Sequence, residues 1–245
     1  MDFTIMLWIL LIVLLMLGAV VPTAGKLGDM FGQSRIYLIG YWSFVIGSLA
    51  AGFSQQQNHG YDLLACRVVI GFGAALLFTN SSAILTNAFA PYGKVGLSQG
   101  VYQLFSAAGV VFGPLLGGGF AQTNWRWIFW FNAPIGGILA ILAIFVLPEN
   151  KYDTTKTFWI HLKTFDFIGA IGCSVGLVLI LIALVQAVVP SPALSSPGAL
   201  TGLVVGGVIA GTVFIVDQYR ATDPLIPPQI FDSRIFTLTT ITGKY

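Results

Sequence analysis

Charged side chains are scarce in this sequence. Asp, Glu, Lys and Arg together make up 8% of the 245 residues, whereas hydrophobic residues make up 56%. A soluble globular domain carries about 25% charged residues, so the composition excludes an ordinary soluble protein. The formal net charge of +2 is too small to indicate nucleic-acid binding. We therefore expect a lipid bilayer, and no nucleic acid, among the partners of the chain.

Cysteine and histidine are also rare, with two of each. Cys66 and Cys173 both fall inside apolar runs, which is typical of small packing residues rather than of a disulfide or a metal site. His59 and His161 fall in loops predicted on opposite sides of the membrane, and no nucleophile–base pair accompanies them. The sequence thus predicts no enzyme, no metal site and no cofactor.

Long apolar runs account for most of what is present. A run of about 20 residues matches the roughly 30 Å hydrocarbon core of a bilayer. An eighth run begins near Ile235 and stops at Tyr245, too short to cross. The sequence predicts an all-α, polytopic transmembrane helix bundle with seven full spans plus a partial eighth. The full spans are predicted at residues 3–24, 36–53, 61–88, 96–120, 128–147, 166–189 and 198–216.

Basic residues between the runs predict the orientation. Short cytoplasmic loops carry an excess of Lys and Arg. One alternating set of loops contains only Arg126, so we predict that this set lies outside. The other set is predicted to be cytoplasmic and holds Lys26, Arg35, Lys94, Lys151, Lys156, Lys163, Arg220 and Arg234.

In this orientation, neither end of the chain lies where the end of a whole transporter is expected. Met1 would lie outside, and Tyr245 would end inside a span, where backbone groups have no partners. We expect at least one further span upstream and several downstream. The alternative is a natural protein with an outer N-terminus and a short last helix.

A polar segment, 151–165, separates the fifth and sixth runs. Phe158, Leu162 and Phe165 recur there at helical spacing, with Lys156 and Lys163 nearby. This pattern is typical of a short interfacial helix. An ordinary loop fits the segment equally well.

A second polar segment, Gly-Lys-Leu-Gly-Asp-Met-Phe-Gly-Gln-Ser-Arg at 25–35, separates the first two runs. Its glycines permit a tight turn. Asp29 is placed to cap a helix N-terminus, or to pair with Arg35 or with the positive end of another helix. The alternative is a plain hairpin with a positive-inside arginine.

The spacing of this segment resembles the loop signature of the major facilitator superfamily of transporters. The matching positions are Gly25, Leu27, Asp29, Gly32 and Arg35. That family usually has basic residues where Met30, Gln33 and Ser34 stand here. The resemblance therefore implies the family's cytoplasmic loop, with a weakened charge network.

Arg67 lies about six residues into the third predicted span, roughly 9 Å deep at 1.5 Å per residue. A charged residue at a helix centre costs about 2.5–3.5 kcal/mol or more and usually has a function. The surrounding stretch, which includes Gly71, resembles the family's fourth-helix motif, whose arginine is implicated in proton coupling or substrate orientation. The alternative is an arginine that extends to the outer surface.

The fourth predicted span carries glycines four residues apart, at Gly109, Gly113 and Gly117. Such glycines line one helix face and let another backbone approach closely. Pro114 frees a backbone carbonyl and bends the helix. Together with Gly118, these residues resemble the antiporter motif of drug:proton exporters in the same superfamily. Simple helix packing is the plainer interpretation of the same face.

The remaining features point to a subfamily. Asn132 is polar within a span and is interpreted as a helix-packing residue. The segments 166–169 and 223–231 resemble those of the fourteen-span drug:proton antiporters, in which two extra helices separate two six-helix halves. The resemblance implies five helices of the first half at 1–148, a cytoplasmic loop at 149–165, the two extra helices at 166–217, and a loop with the start of the second half at 218–245.

The function that this resemblance implies is that of a multi-pass membrane transporter, in the plasma membrane rather than the vacuolar membrane. The transporter exports lipophilic or cationic small molecules by alternating access, with protons as a second partner and the proton gradient as energy source. Two alternatives stay open: a carrier for a defined solute such as an amino acid or siderophore, and a truncated membrane protein that does not transport.

Overall fold

The structure is a computed structural model that describes residues 3–54, 60–147, 166–188 and 196–220. Every regular element in these ranges is helical. A 3-10 turn, Ala90–Tyr92, follows the third helix. The helices are α1 Phe3–Phe31, α2 Gln33–Phe53, α3 Tyr61–Phe89, α4 Val95–Thr123, α5 Arg126–Val146, α6 Phe167–Val188 and α7 Pro197–Gln218.

All seven of these helices in the described ranges are long and apolar enough to cross a membrane. The predicted all-α bundle and its seven full spans are therefore confirmed for this part of the chain. Several of the predictions fall outside the described residues. They concern the partial eighth span, the 151–165 and 223–231 segments, and both histidines.

The predicted end of the first span at residue 24 is wrong. Helix α1 continues to Phe31, and the single residue Gly32 separates it from α2, which begins at Gln33. The Gly32 amide donates to the Gly28 carbonyl at 2.9 Å, and the Gly32 carbonyl accepts from the Ile36 amide at 3.1 Å. The φ of 98° at Gly32 is readily adopted only by glycine. Hydropathy marks where the apolar run ends, whereas backbone hydrogen bonding continues for two further turns.

The chain divides into two compact units, Met1–Tyr152 and Asp153–Tyr245. In the first unit, α3 packs against both α1 and α2, and α5 packs against α2. One apolar core combines residues of four helices: Ile9, Ala51, Leu63, Ile70 and Phe129. A second core lies nearer the α1–α2 junction and combines Ala24, Ile36 and Leu76.

Glycines bring α2 and α3 into close contact. A Cβ added at Gly73 would lie 2.6 Å from the backbone nitrogen of Phe44 and 2.7 Å from the carbonyl oxygen of Gly40. An apolar helix surface is covered as favourably by lipid tails as by another helix's apolar side chains. Membrane helices therefore associate where small residues let their backbones approach. The Gly40–Gly73 contact therefore fixes how α2 and α3 cross.

The second unit contains an antiparallel hairpin of α6 and α7. Gly176 and Gly207 lie at their contact, and a Cβ on Gly207 would lie 3.3 Å from the Gly176 carbonyl oxygen. At one end of the hairpin, Asp166 accepts hydrogen bonds from the Gly169 amide at 2.6 Å and from Gln218 Nε2 at 2.8 Å. Asp166 thus caps the start of α6 and ties it to the end of α7.

Candidate functional site

Arg67 occupies the second turn of α3, inside the first unit. Its guanidinium carbon lies 4.9 Å from the centroid of the Phe129 ring, on α5. Its Nε is enclosed and has no hydrogen-bond partner among the residues that the structure describes. A cation within about 6 Å of a ring face gains roughly 0.5–2 kcal/mol, more as water is excluded. The site therefore holds a cation against an aromatic face and leaves an N–H donor unused.

Arg67 belongs to a longer stack of two arginines and two aromatic rings. Phe129 meets Trp125 edge to face, with ring centroids 6.1 Å apart. The guanidinium of Arg126 lies 5.5 Å from the Trp125 ring and donates from Nη2 to the Ser54 carbonyl oxygen at 3.2 Å. We call Arg67, Phe129, Trp125 and Arg126 the arginine–aromatic stack. It joins the start of α3 and the start of α5 to the end of α2.

The sequence of α5 explains why Phe129 faces inward. Phe129, Ala133, Gly136 and Ala140 are its buried residues, at the spacing of one helix face. A Cβ on Gly136 would lie 2.9 Å from Val45 Cγ2, so this face packs tightly on α2. Asn132, predicted to pack between helices, is half-buried on α5.

Gly71 lies one turn after Arg67 on α3. A Cβ there would lie 2.7 Å from Met16 Cβ and 3.2 Å from Val13 Cα, both on α1. Gly71 thus lets α1 approach α3 closely. A change at this position would alter the helix contact beside Arg67.

The loop motif takes part in a polar bridge between three helices. Gln33 Nε2 donates to Asp29 Oδ1 at 3.3 Å, and Asn87 Nδ2 donates to Gln33 Oε1 at 2.8 Å. We call Asp29, Gln33 and Asn87 the amide bridge. It connects the end of α1 and the start of α2 to the far end of α3. Asp29 is not the N-cap of α2, because that position is Gly32.

The other motif positions lie around this bridge. Leu27 packs against the second core, and Gly25 lies within α1, where a Cβ would make an ordinary 3.5 Å contact with Thr79. Arg35 is exposed. Met30 and Ser34 are each 7% exposed, so a basic side chain at either position would start from a buried site rather than from water.

Gly28 and Asn80 form a tight contact below the amide bridge. A Cβ on Gly28 would overlap Asn80 Oδ1. Asn80 is 1% exposed and donates to the Leu76 carbonyl oxygen at 2.9 Å and to the Ala24 carbonyl oxygen at 3.5 Å. Gly28, the second glycine of the 25–35 segment, therefore accommodates a buried amide of α3 rather than a turn.

Replacing Gln33 by leucine is expected to break the amide bridge. Interhelical hydrogen bonds in membrane proteins are worth about 0.6 kcal/mol on average and at most about 1.7, so we expect a loss of about 1 kcal/mol. The midpoint of SDS-induced unfolding in mixed micelles measures it. Asn87→Leu should cost less free energy of unfolding in the Gln33→Leu background than it costs alone. The reason is that Gln33→Leu has already removed the contact that the two residues share. Full additivity would contradict the bridge.

Helix α4 joins α3 through polar side chains. Gln99 Nε2 donates to Thr86 Oγ1 at 2.7 Å and to the Ser82 carbonyl oxygen at 3.0 Å, and Ser81 Oγ lies 3.1 Å from Tyr102 Oη. Farther along α4, the predicted antiporter motif is open. Apart from chain neighbours and the backbone of α4 itself, no atom in the described ranges lies within 4 Å of a Cβ added at Gly109, Gly113, Gly117 or Gly118. Pro114, inside the same helix, is exposed.

Two groups of contacts were not predicted from the sequence. The ring of Phe129 was not linked to Arg67, and Gln33 was recognised only as a missing basic residue. The signals present were the Trp125–Phe129 spacing of four residues, which places both rings on one helix face, and the polar Asn87 near the end of α3. Among the residues that the structure describes, no three of His, Cys, Asp and Glu gather as a metal site requires.

Comparison with known proteins identifies the family. The family model described as Major Facilitator Superfamily matches residues 1–165. An uncharacterised MFS-type transporter of Mycobacterium tuberculosis is 32% identical over 96% of this chain and 38% of its own length. The efflux pump terJ of Aspergillus terreus is 29% identical over 87% of this chain and 40% of its own length.

A third relative carries a different transport name. The low affinity ammonium transporter of Saccharomyces cerevisiae is 30% identical over 87% of this chain and 41% of its own length. The chain thus spans about two fifths of the length of these curated relatives. With a family model over residues 1–165 and seven membrane-length helices in the described ranges, this chain belongs to the major facilitator superfamily of membrane transporters.

Proposed function

We propose that this chain is part of a proton-coupled exporter of lipophilic or cationic small molecules, of the fourteen-span antiporter type. The observation that carries the proposal is Arg67. Its Nε–H donor meets no acceptor in the described part of the chain. A cation held in this way within a bundle of membrane helices is costly and is usually retained for function. Such a donor is suited to a substrate group or to an acid that changes protonation during transport.

The open face of α4 supports the exporter proposal. Gly109, Gly113 and Gly117 offer a strip where another helix backbone can approach without side-chain interference. Alternating access needs surfaces that come together in one state and separate in the other. A glycine face with no neighbour in the described ranges fits such a surface.

The second unit supports the fourteen-span type. Helices α6 and α7 form a hairpin with its own glycine contacts and its own Asp166–Gln218 hydrogen bond. Two extra helices between two six-helix halves are expected to form such a unit. The energy source in this proposal is the proton gradient, and the membrane is the plasma membrane.

A second candidate is a carrier for a defined solute. One relative is named a low affinity ammonium transporter, and ammonium is a small cation. Amino acids and siderophores belong to the same class of defined solutes. The candidates differ in selectivity: an exporter accepts unrelated lipophilic cations, whereas a defined carrier accepts one solute and its close analogues.

The experiment is transport by the protein expressed from its complete coding region and reconstituted in proteoliposomes. Ethidium serves as the lipophilic cation, and methylammonium, lysine and a ferric siderophore serve as defined solutes. We expect a pH gradient to drive ethidium flux at least about tenfold above the flux without a gradient, as coupling of 1–3 kcal/mol allows. Gradient-driven flux of one defined solute only would favour the carrier. Flux of none of the probes would contradict both and favour the non-transporting alternative.

A further inference from the structure

We propose that Phe129 is a positioning residue for Arg67, and that its ring fixes where the guanidinium presents its N–H donors. This inference rests on the proposed function, since it assigns a role within proton-coupled transport. The direct observation is the 4.9 Å separation between the Arg67 guanidinium carbon and the centroid of the Phe129 ring.

The chemistry of a ring face suits this task. A carboxylate partner would neutralise the arginine and occupy its donors with strong hydrogen bonds. A ring face attracts the cation through its quadrupole and accepts no conventional hydrogen bond from the guanidinium edge. The Nε–H of Arg67 is enclosed, and none of the described residues accepts a hydrogen bond from it. The ring therefore holds the charge without taking up this donor.

Phe129 is itself held in place. It is 4% exposed and belongs to the core formed with Ile9, Ala51, Leu63 and Ile70. Trp125 packs against it edge to face at 6.1 Å. Arg126, which covers Trp125, is anchored on the Ser54 carbonyl oxygen at the end of α2. The ring that contacts Arg67 thus has little freedom to turn, and movement of α5 relative to α3 would move the guanidinium with it.

The test compares Phe129→Leu with Phe129→Tyr in the reconstituted full-length protein. Ethidium flux is measured with a pH gradient and as counterflow without one, and the ratio of the two is compared between variants. We expect Phe129→Leu to lower this ratio about tenfold, in line with the loss of a desolvated cation–π contact. Phe129→Tyr keeps an aromatic face and should stay within about twofold. Loss of folded protein alone scales both fluxes equally and leaves the ratio unchanged.

Phe131→Leu is the matched control. Phe131 lies two residues away on α5, is 39% exposed and packs against Phe120. The ratio should not change in this variant. An unchanged ratio in Phe129→Leu, or an equal loss in Phe129→Tyr, would overturn the positioning role.

A second measurement does not depend on transport. Phenylglyoxal modifies accessible guanidinium groups, and mass spectrometry reports its rate at Arg67 in isolated membranes. We expect Phe129→Leu to raise this rate about fivefold because the covering ring is gone, and Phe131→Leu to leave it unchanged. If the native protein moves no ethidium, the exporter proposal fails, and the labelling rates alone decide whether Phe129 holds Arg67. Equal rates in native and Phe129→Leu protein would then overturn the inference.

Discussion

Replacing Arg67 by alanine is expected to abolish the proposed proton-driven efflux while the protein still inserts and folds. A charge costs about 2.5–3.5 kcal/mol or more at a membrane helix centre and less near a helix end, where Arg67 lies, so its removal offsets part of the lost packing. Coupling between two sites commonly amounts to a factor of about 5–150, and we expect gradient-driven ethidium flux to fall to the level seen without a gradient.

The measurement combines flux in proteoliposomes with the amount of monodisperse protein recovered from membranes. Arg67→Lys is the matched variant, because it keeps the charge but loses the planar fork of donors. We expect it to retain a minor part of the gradient-driven flux. Normal efflux in Arg67→Ala would exclude a coupling role, whichever molecule the protein transports.

Replacing Gly73 by valine is expected to have the largest effect on folding. Its Cβ would lie 2.6 Å and 2.7 Å from backbone atoms of Phe44 and Gly40. Backbone cannot rotate away as a side chain can, so α2 and α3 must separate. Overpacking of a tight contact costs about 1–3 kcal/mol and occasionally more, and we expect about 3 kcal/mol in SDS-induced unfolding.

Gly113→Val is the control, since it makes the same substitution within a membrane helix. Nothing in the described ranges lies within 4 Å of a Cβ at Gly113. We expect a change in unfolding free energy within about 0.5 kcal/mol, together with loss of transport if the α4 face meets another helix during the cycle. Equal destabilisation by both substitutions would contradict the α2–α3 contact.

The loop motif shows the limits of what spacing can predict. Its spacing correctly indicated the family, because those positions are read directly from the sequence. Its geometry was predicted as a turn, but α1 runs through it and only Gly32 needs a positive φ. The missing basic residues suggested a weakened network. In the structure Gln33 bonds to the Asp29 carboxylate and to the amide of Asn87, which is 54 residues away.

Sequence alone determined the number and approximate position of the spans in the described ranges. Apolar length is a local property, and it must match the bilayer wherever the helix sits. Intramembrane charge is equally local, so Arg67 was identified as a candidate before any contact was known.

The tertiary structure decided which faces meet. Lipid tails are as apolar as leucine, so hydropathy does not distinguish a helix face that contacts lipid from one that contacts another helix. The rotation and depth of each helix therefore follow from close packing at positions such as Gly40 and Gly73. That packing places Phe129 against Arg67, a contact that no local pattern around either residue specifies.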